Sequence, residues 1–150
     1  MTGISIDDFA IKMNQIMPEI MKGFTRRQCN DVYKGKITLP QLLVLELLSR
    51  QGASKMSDLA KFMQVTTAAS TGIVQRLVRL GYVQREYDGR DRRIVRIKLI
   101  PKGAELIKKI SQQRTQSVVR IFGQISQEDR QEYLRILMKV RDVLEKEENG

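Results

Sequence analysis

Arg90, Arg92 and Arg93 fall within four residues of one another, just behind Asp88-Gly89 and on either side of Asp91. A guanidinium presented on a thin ribbon can enter the minor groove of duplex DNA and exploit its negative potential, most strongly where A-tracts narrow the groove. Asp88 and Asp91 are expected to hold those arginines in position by bidentate pairing. A second group lies upstream, where Thr66, Thr67, Ala68, Ala69, Ser70 and Thr71 precede Gln75 and Arg76. Small residues let a helix approach base edges closely. Hydroxyls donate or accept, and a Thr or Ala methyl packs on a thymine methyl. Gln75 has the geometry to pair with adenine, and Arg76 that to clamp a phosphate or a guanine.

Other chemistries find little support. The chain has 150 residues, no histidine and one cysteine, Cys29. Without histidine, the usual Ser-His-Asp and Cys-His nucleophilic arrangements are absent, as is the commonest transition-metal ligand. One cysteine makes neither an internal disulfide nor a CxxC pair, which fits a reducing compartment. The glycines fall into neither of the common phosphate-cradling spacings, so no nucleotide cofactor is expected. No catalytic residue, cofactor or metal site is therefore assigned. No apolar run approaches the length of a membrane span, and the N-terminus lacks a signal-peptide core, so a cytoplasmic location is expected. Lys and Arg number 27 against 17 Asp and Glu, a formal charge of +10. That excess favours a polyanionic partner.

The elements that must position these residues can be read from periodicity. Phe9, Met13, Ile16, Met17, Ile20, Met21 and Phe24 lie at three- and four-residue spacing, an apolar helix face that Pro18 should kink or split. A short loop is expected around Lys34-Gly35-Lys36. Thr38 and Gln41 form a capping box ahead of a helix apolar nearly all round, ended at Gly52. A short helix over about Ser57–Met63 and a second from near Thr66 to Leu80 follow, the latter burying Ile73, Val74, Leu77 and Leu80 and stopping at Gly81. Residues 82–87 and 94–99 switch to period two around the charged tip, a hairpin. Pro101 opens a long helix carrying Leu106, Ile110, Val118, Ile121 and Phe122. Ser126 caps a last one carrying Tyr133, Leu137, Val140 and Leu144, and residues 145–150 read as a polar, frayed tail.

Short helix, tight turn, second helix and basic hairpin make a winged helix-turn-helix, in which the second helix enters the major groove. The run Val65–Leu77, then Gly81-Tyr82-Val83-Gln84-Arg85, then Asp88-x-Arg90-Asp91-x-Arg93, then Leu99-x-x-Lys102-Gly103 resembles the MarR (multiple antibiotic resistance regulator) family of bacterial repressors. The resemblance covers about residues 6–146. It implies that Arg93 reaches the minor groove and that Asp91 orients it. It also implies a dimer built from the N- and C-terminal helices, and often a small-molecule or oxidant signal that releases DNA. Some positions depart from the family. Ile100 stands where many members carry a capping Thr, and Gly72 where several carry an arginine able to touch DNA. Cys29 is away from the early position of the peroxide-sensing thiol, and the absence of histidine argues against the zinc-sensing branch.

The resulting expectation is a mainly α chain with a small β-hairpin wing, one domain over residues 1–150. Residues 6–50 and 101–146 would dimerise, and 53–100 would bind DNA through Thr66, Thr67, Ala69, Ser70, Thr71, Gln75, Arg76, Arg90, Arg92 and Arg93, with Asp88 and Asp91 orienting the wing. The expected partners are double-stranded DNA, a second copy of the chain and a small anionic or aromatic effector. The competing reading is a basic winged-helix module that binds a protein or a membrane surface. A membrane-surface module needs a basic amphipathic helix with an apolar membrane face, whereas the clearest basic cluster here is on a hairpin.

Overall fold

The computed structural model describes residues 3–28 and 37–150, so Cys29 and the loop expected around Lys34-Gly35-Lys36 lie outside the described residues. Two compact units are present, one through Gln113 and one from Arg114 to Gly150.

In the first unit, helix α1 (Ile6–Gln28) begins where the Ser5 hydroxyl accepts from the Asp8 N–H at 3.1 Å. It runs unbroken through Pro18, so the expected split does not occur; the ring only removes the N–H that would serve the Asn14 carbonyl. Helix α2 (Leu39–Gln51) starts at the expected capping box. The Thr38 N–H donates to Gln41 Oε1 at 2.8 Å, and the Gln41 N–H donates to Thr38 Oγ1 at 3.4 Å. Two orphan donors are thereby satisfied at the entry to the most buried helix of the core. Leu42, Val44, Leu45, Leu47 and Leu48 are all buried, and the helix stops at Gly52 with φ +79°.

Strand β1 (Ser54–Lys55) leads directly into α3 (Met56–Met63). The turn that follows is closed by Gln64 N–H to the Lys61 carbonyl and Val65 N–H to the Ala60 carbonyl, with Gln64 left-handed at φ 54°. Helix α4 (Thr67–Arg79) is capped by Thr66, whose Oγ1 accepts from the Ala69 N–H at 3.1 Å. Its exit repeats the pattern of bonds: Gly81 N–H to Val78 O and Tyr82 N–H to Leu77 O, with Gly81 at φ +78°. A glycine adopts that conformation without steric cost.

Strands β2 (Val83–Tyr87) and β3 (Val95–Leu99) pair antiparallel, Val83 opposite Leu99 and Tyr87 opposite Val95. β1 adds to the other edge of β3, Ser54 opposite Ile97, giving the order β1-β3-β2. Val83 and Ile97 put their side chains into the core with Leu59, Val74, Leu77 and the α2 leucines. Helix α5 (Pro101–Phe122) contributes Ile110 to the same cluster. Its first turn is backed tightly on the α4 exit, since a Cβ on Gly103 would sit 2.1 Å from the Tyr82 carbonyl oxygen.

In the second unit, the end of α5 turns at Gly123 into α6 (Gln127–Glu148), capped by the Ser126 hydroxyl on the Asp129 N–H at 3.1 Å. Arg130 donates to the carbonyls of Phe122 and Ile125, and the Phe122 and Tyr133 rings stack at 5.4 Å. A bidentate hydrogen bond from Arg135 holds the Glu132 carboxyl below its ordinary pKa. The tail expected to fray is helical as far as Glu148, with Asn149 Nδ2 donating to the Glu145 carbonyl at 2.8 Å.

Candidate nucleic-acid interface

The N-terminal half of α4 places the expected reading residues on two different faces. Thr66, Thr67, Ala68, Ala69, Thr71, Gln75 and Arg76 are exposed. Ser70 is fully buried, and its hydroxyl donates to the Met56 sulfur at 3.6 Å. Its assignment as a DNA contact is therefore corrected: Ser70 is one turn before Val74 on the inward stripe and ties α4 to α3. Two other hydroxyls also act within the protein. Thr66 accepts from the Ala69 N–H, and Thr71 Oγ1 donates to the Thr67 carbonyl at 2.8 Å. The outward surface of this half-helix is consequently methyl-rich, with polar reach supplied by Thr67 and, one turn on, by Gln75 and Arg76. Gly72 lies on that surface with nothing within 4 Å of where a Cβ would stand.

The hairpin tip is built by its aspartates, though by a different device from the one expected. The Asp88 N–H donates to the Ile94 carbonyl and the Ile94 N–H to the Asp91 carbonyl, each at 3.0 Å. Asp88 Oδ1 accepts from the Arg90 N–H at 2.9 Å, and Asp91 Oδ1 accepts from the Arg93 N–H at 3.0 Å. Each carboxylate thus closes a turn two residues ahead, a habit of Asp and Asn in loops. The bidentate pairing expected for them is absent: Arg93 Nε lies 3.7 Å from one Asp91 oxygen, and Arg96 Nη2 lies 3.9 Å from Asp88 Oδ2. The repeated Asp-x-Arg spacing was the available signal, because a carboxylate and the N–H two residues on are in reach whatever the arginine side chain does.

The charges are distributed unevenly along the wing. On the arms, Lys98 pairs with Glu86 across the strands at 3.3 Å and Arg96 faces Asp88. At the tip, Arg93 has 94% of its side chain exposed, and Arg90 and Arg92 make no ion pair among the described residues. Arg85, exposed on β2, also makes no ion pair among the described residues, so unpaired positive charge lies on an arm as well as at the tip, with its densest cluster at the tip.

A helix-turn-helix with an exposed second helix, followed by a basic antiparallel hairpin, defines a winged-helix DNA-binding protein. A sequence model of the MarR family matches residues 37–95, which run from the α2 cap to the start of β3. The HTH-type transcriptional regulator YfiV of Bacillus subtilis (strain 168) is 30% identical over 133 residues, 85% of this chain and 83% of the relative. The HTH-type transcriptional repressor MdtR of the same organism is 24% identical over 134 residues, 89% of this chain and 81% of the relative. Among solved structures, a MarR family protein from Bacillus stearothermophilus superposes with a TM-score of 0.80 at 23% identity, covering 94% of this chain and 99% of that one. The chain belongs to the MarR family of transcriptional regulators, whose members regulate transcription by binding DNA and are not enzymes.

Proposed function

We propose that this chain is a sequence-specific repressor that binds duplex DNA as a homodimer, with α4 in the major groove and the hairpin tip in the flanking minor groove. The observation that carries the reading is the pairing of an exposed α4 surface with a wing that carries three exposed arginines, Arg90, Arg92 and Arg93, within four residues at its tip. The tip residues Arg90, Arg92 and Arg93 supply charge- and shape-dependent affinity. Thr67, Thr71, Gln75 and Arg76 supply base discrimination, because the major groove presents a distinct pattern for each base pair and the minor groove does not. The repressor assignment is supported by the likeness to MdtR, itself a repressor.

Dimerisation is supported by apolar side chains left open on both units. Phe9, Met13, Ile16, Met17 and Ile20 are exposed on α1, and Tyr133, Leu137, Val140 and Leu144 on α6. A two-fold dimer implies a palindromic operator with half-sites about one helical turn, ~34 Å, apart. A small anionic or aromatic effector would release DNA by binding one spacing of the two α4 helices better than the other. Cys29 is not assigned a sensing role, and a cytoplasmic location follows from the function.

The test is selection of bound sequences from a random duplex pool, followed by salt titration. An enriched palindrome, with Arg93→Ala weakening operator and random duplex together and Gln75→Ala weakening the operator alone, supports the reading. Failure to enrich any sequence, with affinity instead for acidic vesicles or a protein, overturns it. Sedimentation as a monomer at micromolar concentration removes the dimer.

A further inference from the structure

We infer that Lys102 is a positioning residue for the reading helix: from the first turn of α5 it grips the C-terminal end of α4 and so sets how the α4 surface is presented to DNA. This rests on the DNA-binding reading above. The last turn of any helix leaves carbonyls without intrahelical partners. At the end of α4, the backbone turn at Gly81 serves the carbonyls of Leu77 and Val78. The Leu80 carbonyl is taken by Lys102 Nζ, which donates to it at 2.9 Å. The same ammonium lies 5.1 Å from the centre of the Tyr82 ring. A cation there also meets the negative end of the α4 dipole and the face of an aromatic quadrupole.

The neighbours of Lys102 close on the same turn. The Ile100 N–H donates to the Tyr82 carbonyl at 3.2 Å. Gly103 leaves no space for a Cβ against that same carbonyl. Those two contacts hold the segment after α4, through backbone groups. The Lys102 side chain carries the hold back onto the end of α4 itself, beside the apolar packing of Ile110 in the core cluster. Lys102 lies outside the reading residues and outside the wing, so its effect is exerted through the pose of α4.

The experiment compares Lys102→Met and Lys102→Arg in the full chain with Lys108→Met, which removes the same charge from an exposed position on the same helix. Affinities are measured for a duplex selected from a random pool and for a scrambled duplex of equal composition, across a salt series, alongside thermal unfolding. Lys102→Met is expected to weaken the selected duplex on the order of 10-fold more than it weakens the scrambled one. Lys108→Met is expected to leave their ratio unchanged, and Lys102→Arg, which keeps a charged donor, to restore it. Equal loss on both duplexes with a shallower salt dependence would make Lys102 a direct phosphate contact and overturn the inference. A lower melting temperature with an unchanged ratio would reduce it to a helix cap, and no change in any measurement would remove its role altogether. Failure of the wild-type chain to enrich any sequence would instead fall on the DNA-binding reading itself.

Discussion

Asp91 provides a test of how the wing is held. The carboxylate does two separable things: its Oδ1 accepts the Arg93 N–H at 3.0 Å, and its charge faces the Arg93 guanidinium at 3.7 Å. The ion pair is highly exposed, and pairs of that kind contribute about 0–1 kcal/mol. The backbone acceptor shapes the loop, and one such hydrogen bond is worth about 0.5–1.5 kcal/mol. Asp91→Asn keeps the acceptor and removes the charge, whereas Asp91→Ala removes both. The two variants carry the same net charge, so their difference isolates the acceptor. Asp91→Ala should bind duplex DNA about 2- to 12-fold more weakly than Asp91→Asn, which is that hydrogen-bond range converted at RT of about 0.59 kcal/mol. Asp91→Asn itself should match or exceed the wild type, because a negative charge leaves a surface proposed to face phosphates. Fluorescence anisotropy on operator and random duplexes over a salt series measures all three proteins. Equal weakening of the Asn and Ala variants would refute the reasoning, because charge and not turn closure would then be what positions Arg93.

Three further predictions concern stability, each read as a shift in the urea midpoint. Gly103→Ala forces a Cβ to within 2.1 Å of the Tyr82 carbonyl oxygen and should cost about 1–3 kcal/mol, so an unchanged midpoint would contradict the tight α5 contact. Gln64→Gly should stabilise the chain by about 1 kcal/mol, because a left-handed residue with a Cβ ends α3 at φ 54°, and a loss instead would mean that the Gln64 side chain is needed in the turn. Gly72→Ala should gain about 0.5–1 kcal/mol, since its Cβ meets open space in a helix, whereas Gly81→Ala should lose about 1–2 kcal/mol at φ +78°; a shift of the same sign in both would refute the contrast.

The parts of this fold that were legible in the sequence are those fixed by local chemistry. Thr38 with Gln41, Thr66 and Ser126 each announce a helix start, and the side-chain bonds found there are the ones those residue types make. Gly81 announced the end of α4, and the alternation on either side of the tip announced the hairpin. What escaped depended on partners distant in sequence. Ser54-Lys55 forms a strand because the free edge of β3 is beside it, and two residues carry no period of their own. Ser70 looked like a reading residue because its neighbours Ala69 and Thr71 face outward. Counting back four from Val74 would have placed it on the buried stripe, but the polar type concealed the phase. The split expected at Pro18 does not occur, since a lost hydrogen bond in one turn does not stop a helix that continues for ten residues beyond it.

The division of labour within the interface follows from where each element can place charge. The exposed surface of α4 and its cap from Thr66 to Gly72 carries no cation, and two of its hydroxyls, those of Thr66 and Thr71, are engaged with the backbone. Such a surface gains little from phosphates and contributes affinity only where bases of the right shape and methyl pattern meet it. The wing is the opposite case. Glu86 and Asp88 offset Lys98 and Arg96 along the arms, Arg85 stays unpaired there, and three exposed arginines crowd the tip at Arg90, Arg92 and Arg93. In the proposed complex the tip cluster gains most when it lies in a groove, and the wing is tied to α4 because β2 starts directly after the turn that ends α4. In that proposal, specificity and affinity fall to two elements joined by the three residues from Leu80 to Tyr82, the segment on which the first turn of α5 closes.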